Sequence, residues 1–414
     1  VRGAELGWRD RSGGRAWFAI ERRDPGEEEF RRVGTRPPDE TVWVDWALSP
    51  DSAYAYRVRA FLPGGPGSAY SLETEVHTAP TVLPEPRVTV FDPRAVSPGL
   101  TLFNVEDPDD VYSTAVIMAV DESGEVAWHF EEKGPFVSET DPLPDGNILA
   151  QVGPAVSIMT PRGDLVRYID RYFVHHDVDE LPWGNLIAIT SVGLQVVGED
   201  STDGYSRDWV FEFDPVSTLR TRILHFEFIV PIEHVCEACL PTWVVGGDDW
   251  LHVNALDYDL SEESLYVSVR NLNRIYKLSY PEGEVQWVMG DGGDFGEGLF
   301  DHQHNPYRIA PGRMLVFDNG LHRGPLVPDR SRVIEIEYDP SIPDARIVWT
   351  YDGPPPFFSE AQGDAKRLPN GNTLVVDSFG ARIVEVTLEG LPVWELTLPP
   401  PYLIYKAHRI ESFL

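Results

Sequence analysis

A tight turn leading into a short apolar strand recurs along this chain, as LPDGNILAQV, LPWGNLIAIT, APGRMLVFDN and LPNGNTLVVD. A second strand pair recurs with it, marked by GEVAWHF, GEVQWVM, ARIVWTY and LPVWELTL. A unit of four short strands cannot bury its apolar face alone, so such units stack on one another. The pattern predicts an all-β fold, a propeller whose blades surround a central channel. Six units are read, near 113–131, 138–171, 176–231, 252–290, 304–351 and 359–398. The first is short of strands, and the C-terminal YKAHRIESFL is expected to close it and remove the exposed sheet edges. A solenoid or a sandwich is the alternative. Trp128, Trp287, Trp349 and Trp394 are read as packing between blades.

Residues 1–80 lack this repeat and read as a small β-sandwich. AELGWRD supplies a core Trp8, AWFAIERRD follows as a strand, and Leu48-Ser49-Pro50 with Tyr54 and Tyr56 resembles the tyrosine corner of fibronectin type III domains. The first strand of such a sandwich is missing, whether disordered, cleaved or supplied by a neighbouring chain through strand addition. Self-association through this region is therefore an expectation. Residues 81–98 read as a Pro-rich linker and 99–414 as the propeller.

The formal net charge of -33 argues against nucleic acid as a partner, because phosphate binding needs basic patches. No apolar run reaches the ~18 residues of a membrane span. The chain opens on Val1 rather than Met, which reads as processing. Its two cysteines, Cys236 and Cys239 in HVCEAC, are a candidate short-loop disulfide, which fits a periplasmic or extracellular location. A metal site on His234, Cys236 and Cys239 is the weaker alternative, because no fourth ligand is evident. No metal and no cofactor are expected.

Histidines recur at one slot of the repeat. His176 lies ten residues before Leu186 and His304 ten before Met314, each first past its turn; His252 holds the same slot before a longer turn. That slot starts an innermost strand, so these three side chains are expected to converge on the channel. The following strand returns to the same mouth and brings Arg270 there. Ser138 and Gly363 occupy the slot in two other blades and are expected to leave room for a ligand. By strand alternation His302 shares a face with His304 and is the alternative reactive residue, while His175 points away from His176. His175, His234, His322 and His408 are read as structural, with His408 in the closing strand within possible reach of the funnel. Asp318 and Asn319 are read as turn caps.

HHDVDELPWGN, WLHVNALDYD, LYVSVRNLNRIYKL, HQHNPYRIAPGRMLVFDNG and RLPNGNTLVVD resemble the bacterial arylsulfate sulfotransferase family, in order over about residues 95–414. The resemblance implies a six-bladed propeller that moves a sulfuryl group from an aryl sulfate to a phenol through a transient sulfohistidine. It implies His304 as that histidine. His252, Asn254 and Arg270 match the groups around the sulfuryl oxygens, and His176 the remaining active-site histidine. Neutral imidazole is a competent nucleophile, and a covalent step divides one hard displacement into two easier ones. Arg270 and Asn254 are expected to donate to the sulfuryl oxygens. A protonated His252 or His176 is expected to hand its proton to the departing phenolate. The chain departs from the family in two places: its cysteine pair precedes His252, and Trp183 stands in the LPWGN turn where Asn is usual. A non-catalytic surface or filament-like assembly protein on the same propeller is the second reading; a propeller hydrolase or quinone-dependent oxidoreductase is a third.

Overall fold

The computed structural model describes residues 4–38, 40–45, 48, 51–78, 83–109, 115–132, 136–161, 163–191, 195–196, 204–205, 208–225, 251–323 and 328–413. Cys236, Cys239 and His234 lie outside the described residues. Two compact units are present, one holding Val1–Leu83 with 130–132 and 159–166, the other the rest of the chain from Pro84.

In the first unit Ala4–Gly7 pairs with Val42–Asp45, and a second sheet runs Arg31–Arg36, Trp17–Arg23, Ala53–Phe61, Thr74–His77. Ile20, Trp43, Leu48, Tyr54 and Tyr56 form its core, and Trp8 is partly buried against Phe18. The Tyr56 hydroxyl donates to the buried Asp45 carboxylate at 2.7 Å, and Arg22 Nη1 donates to the same oxygen at 2.8 Å. Tyr56 thus bonds a charged side chain, where a tyrosine corner would use backbone.

The second unit is all-β and propeller-like. Six sheets follow one another, and those of blades two to five each have four strands in chain order. The innermost strands of blades two to six are Val137–Pro142, Val174–Glu180, Val253–Asp259, His304–Ala310 and Asp364–Arg367. That of blade one is Ala407–Ile410, which pairs antiparallel with Leu100–Val105 and so joins the C-terminal end of the chain to the first sheet. Consecutive innermost strands neighbour one another around the ring, and Ala407–Ile410 closes it between blades six and two. One difference from the sequence reading concerns the linker: Arg87–Phe91 forms a strand that adds to blade six as a fifth.

The LPxGN motif has a direct cause. Leu143 N donates to Asn147 O and Gly146 N to Leu143 O, and the same pair of bonds recurs at Leu181/Asn185/Gly184 and at Leu368/Asn372/Gly371, all at 2.8–2.9 Å. The glycines take φ of 84°, 85° and 89°, a region where L side chains are strained, while the leucines are buried. Burying each leucine stabilises the unit by roughly 2 kcal/mol. Apolar layers then fill the spaces between blades. Leu181, Ile187 and Val210 of blade three meet Leu256, Leu265 and Tyr280 of blade four, and Trp287 of blade four packs on Tyr338 of blade five with ring centroids 5.4 Å apart. Trp394 Nε1 donates to Glu122 O across blades six and one at 2.8 Å. Among the described residues no helix is long and apolar enough to cross a membrane.

Candidate active site

Each innermost strand of blades three to five enters the sheet irregularly, and the irregularity aims the histidines. Val174 pairs with Thr190 but Val178 with Ala188, so two extra residues are accommodated around His175–Asp177. Val253 pairs with Val269 and Ala255 with Ser268, leaving Asn254 as an extra residue. His304 pairs with Phe317 and Tyr307 with Leu315, again with one residue to spare. His176 and His252 take φ of 62° and 51°. A non-glycine residue there costs about 1–2 kcal/mol, so the surroundings must hold it.

The three repeat-slot histidines do converge. His176 lies 4.6 Å from His252 and 6.1 Å from His304, measured between ring centroids. Arg270, at the end of Ser264–Val269, is brought alongside through Arg270 N donating to His252 O at 3.1 Å. Its Nη1 donates to Asn271 Oδ1 at 2.9 Å and its Nη2 to Glu360 O at 3.1 Å, which fixes the guanidinium while it stays buried.

A further member, Tyr405, is not among the residues the sequence singles out. Its hydroxyl lies 3.1 Å from His304 Nε2 and 2.9 Å from His176 Nδ1, while His304 Nδ1 lies 3.1 Å from the carbonyl oxygen of Gly363. A carbonyl only accepts, so His304 Nδ1 carries a proton and donates to it. Burial, with the positive charge of Lys406 and Arg270 and the nearby His252, holds His304 well below the usual imidazole range. His304 is therefore neutral, and its Nε2 carries a lone pair. Tyr405 must then donate to Nε2, which leaves its oxygen to accept from Nδ1–H of His176. One directed chain results, from His176 through Tyr405 and His304 to Gly363. Burial, above all, also raises Tyr405 well above the usual phenol range, so the hydroxyl stays protonated. His176 is pushed well below its ordinary value by burial and by His252, His175, His304 and Arg270. That corrects the expectation of a protonated His176 in the resting site.

Other expected members fare differently. Asn254 is fully buried, but its Nδ2 donates to Gln303 O at 2.9 Å, and its Oδ1 has no hydrogen-bond partner among the described residues. Gly363 does not leave space: a Cβ there would lie 2.4 Å from Phe317 Cε1, and φ is 93°. Its carbonyl is what the site uses. Ser138 is buried at the same slot. His302 is drawn away by its own left-handed φ of 53°, and its Nε2 meets His322 Nδ1 at 3.3 Å. Burial, with Arg270 and His322, pushes His302 down to about 3. His175 turns to Asp208, Nε2 to Oδ1 at 3.4 Å. His408 meets Asp141 at 2.8 Å, beside a second layer further along the channel. There Lys406 donates to Glu139 and, at 2.9 Å, to Asp177, next to a polar cavity of about 140 Å³. Asn319 Nδ2 ties the chain at Ser359 O and Gln362 O, at 2.7 and 2.9 Å.

The chain is similar to a protein of unknown function from Bacteroides caccae, at 13% identity and a TM-score of 0.49 over 75% of this chain and 98% of that one. It is also similar to a periplasmic gluconolactonase of Pseudomonas aeruginosa, at 13% identity and a TM-score of 0.40 over 94% of this chain and 99% of that one. Likenesses this distant carry no functional argument. The family match does: the model of the arylsulfotransferases (ASST) matches residues 87–389, nearly the whole succession of blades and every histidine of the cluster. This chain belongs to the arylsulfotransferase (ASST) family.

Proposed function

We propose that the protein moves a sulfuryl group from an aryl sulfate to a phenolic acceptor through a sulfohistidine at His304. The family match supports a sulfotransferase-type function and substrates of this class. The observation that carries the finer reading is His304 Nε2, an imidazole lone pair kept neutral by burial and by nearby positive charge. Nδ1 is engaged by Gly363, so the reactive nitrogen is Nε2.

In the first half-reaction Nε2 attacks sulfur, the S–O bond to the aryl oxygen breaks, and the phenolate leaves with the bonding pair. The incoming sulfur displaces the Tyr405 hydroxyl from the lone pair, and that hydroxyl then donates to a sulfuryl oxygen. Arg270 meets the charge on the sulfuryl group, and fixed donors of this kind act more strongly in a water-poor site. His252 takes the role of proton donor to the phenolate. In the second half-reaction the acceptor hydroxyl attacks sulfur and the N–S bond breaks. His176 Nε2, whose lone pair follows from its Nδ1–H bond to Tyr405, takes the acceptor proton. The proton then returns from His176 to His252, whose ring centroid lies 4.6 Å away, so none is gained or lost over the cycle.

The reading of the first unit as fibronectin type III-like remains part of this proposal, supported by the order of its two sheets. So does a periplasmic or extracellular location. The direct test of the transferase reading is intact-protein mass spectrometry after brief exposure to p-nitrophenyl sulfate. A sulfuryl adduct on His304, released by added phenol, is expected. Full turnover by a His304→Ala variant would sink the assignment.

A further inference from the structure

The short segment 359–363, just before the inner strand of blade six, holds both reacting side chains by backbone carbonyls. Gly363 O accepts from His304 and Glu360 O from Arg270. Within it Gln362 and Gly363 take φ of 61° and 93°, two consecutive residues in the left-handed region. A glutamine rests there only when its surroundings enforce it. Asn319 holds its backbone oxygen. Its side chain is gripped at both ends: Oε1 accepts from the Ser378 hydroxyl, and Nε2 donates to Glu106 Oε2 at 3.0 Å. Glu106 belongs to blade one, is nearly buried, and is locked to Leu403 by two backbone bonds of 2.9 Å, two residues before Tyr405. Blade one therefore reaches across the closing seam of the ring to the peptide that orients the proposed nucleophile.

The chain from His176 through Tyr405 and His304 has two possible directions. In the observed one, Gly363 O accepts from His304 Nδ1–H and the Nε2 lone pair is available. In the reverse one, Nε2–H donates to Tyr405, Tyr405 donates to His176 Nδ1, and the reacting nitrogen is blocked. Only the Gly363 carbonyl distinguishes them. We propose that Glu106, acting through Gln362, is a positioning residue that sets the direction of this chain by fixing the Gly363 carbonyl against His304. The role rests on His304 being the nucleophile, but its effect on the ring does not. Burial raises Glu106 to about 7, only partly offset by Gln362. Glu106 meets the neutral Gln362 from blade six, and its charge is felt by Tyr405 just before the closing strand.

The test uses the full chain labelled with ¹⁵N-histidine, with His304 assigned by the loss of its signals in His304→Ala. The wild-type protein should show His304 as the Nδ1–H tautomer. Glu106→Leu should move both His304 and His176 toward Nε2–H, and lower kcat roughly 3- to 10-fold, the bias of one net hydrogen bond, with KM within about twofold. Glu106→Gln keeps an acceptor for Gln362 and should restore the wild-type tautomer. If Glu106→Leu does not fold, Gln362→Asn serves, because asparagine tolerates the left-handed backbone but is too short to reach Glu106; the same tautomer shift is expected. Unchanged tautomers in the variant that folds would overturn the proposal, as would a Glu106→Gln protein as perturbed as Glu106→Leu. A tautomer shift in a protein that transfers no sulfuryl group, wild type included, would uphold the positioning role and end the transferase reading.

Discussion

Replacing Tyr405 by Phe removes one oxygen and cuts the histidine chain at its centre. The ring packing is retained, so the loss isolates two hydrogen bonds, 3.1 Å to His304 and 2.9 Å to His176. His304 is 1% exposed, so no water replaces the lost donor. An unpaired buried acceptor costs about 1–3 kcal/mol. His176 is only partly buried, and water limits its loss to about 0.5–1 kcal/mol. The sum, about 1.5–4 kcal/mol, is to be read from urea unfolding of the two proteins. The tautomers should part company. His304 keeps Nδ1–H because Gly363 still accepts from it, whereas His176 is released from its enforced Nδ1–H form, which ¹⁵N-histidine spectra resolve. Turnover should fall by less than the ~10²–10³-fold that follows removal of an oxyanion donor elsewhere, because Arg270 remains. A Tyr405→Phe protein with wild-type stability and an unchanged His176 tautomer would refute the directed chain.

Two further outcomes are expected. Gly363→Ala places a Cβ 2.4 Å from Phe317 at φ 93°; overpacking costs about 1–3 kcal/mol and the left-handed backbone about 1–2 kcal/mol. A lower unfolding midpoint and a large loss of turnover are predicted, and a variant as stable and active as the parent would contradict the packing argument. Stability should also depend on pH through His302, whose folded value is about 3 against about 6.5 unfolded. Between those values the unfolded chain binds a proton that the folded one refuses, so stability is full above pH 6.5 and is lost as pH falls toward 3. Glu106 works oppositely: with a folded value of about 7, it favours the folded state at low pH and loses that contribution as pH rises from about 4.5 to 7. His302→Asn should flatten the acid limb by about one proton, near 1.4 kcal/mol per pH unit; an unchanged slope would show that His302 titrates freely.

Most of the architecture was legible because the repeat forces it. LPxGN encodes one turn, with a glycine at positive φ and a buried leucine, and the same two bonds form at each copy. The convergence of His176, His252 and His304 followed from their shared slot. What failed was the use of strict two-residue alternation at the strand entrances. His302 lies before its strand begins, at a left-handed φ of 53°, and so faces His322, while the bulged Asn254 spends a donor on Gln303. Tyr405 was within reach of the same reasoning. YKAHRIESFL marks the closing strand in the sequence, and Tyr405 lies two residues before that strand begins. At Gly363 the reason is different. An absent side chain suggests space, but here the missing Cβ admits a phenylalanine ring, and the useful atom is the carbonyl. The linker strand Arg87–Phe91 carries alternating burial, masked in the sequence by flanking prolines.

A chain with a net charge of -33 is an unlikely host for an anion until the charges are placed. At physiological ionic strength, exposed charges more than about 8 Å apart are largely screened, so the surface carboxylates matter less than the few groups around the histidines. Arg270 is buried there with its guanidinium held by backbone and amide oxygens that carry no formal charge. In the second layer the buried carboxylates Glu139 and Asp177 are both bonded to Lys406. Lys406 itself acts on His304 as a positive charge. A buried guanidinium beside the unprotonated His304 and His176 thus gives the site a local sign opposite to that of the molecule. The same positive charge keeps His304 from taking a proton, so the groups that make the pocket hospitable to a sulfate ester also keep the attacking nitrogen free.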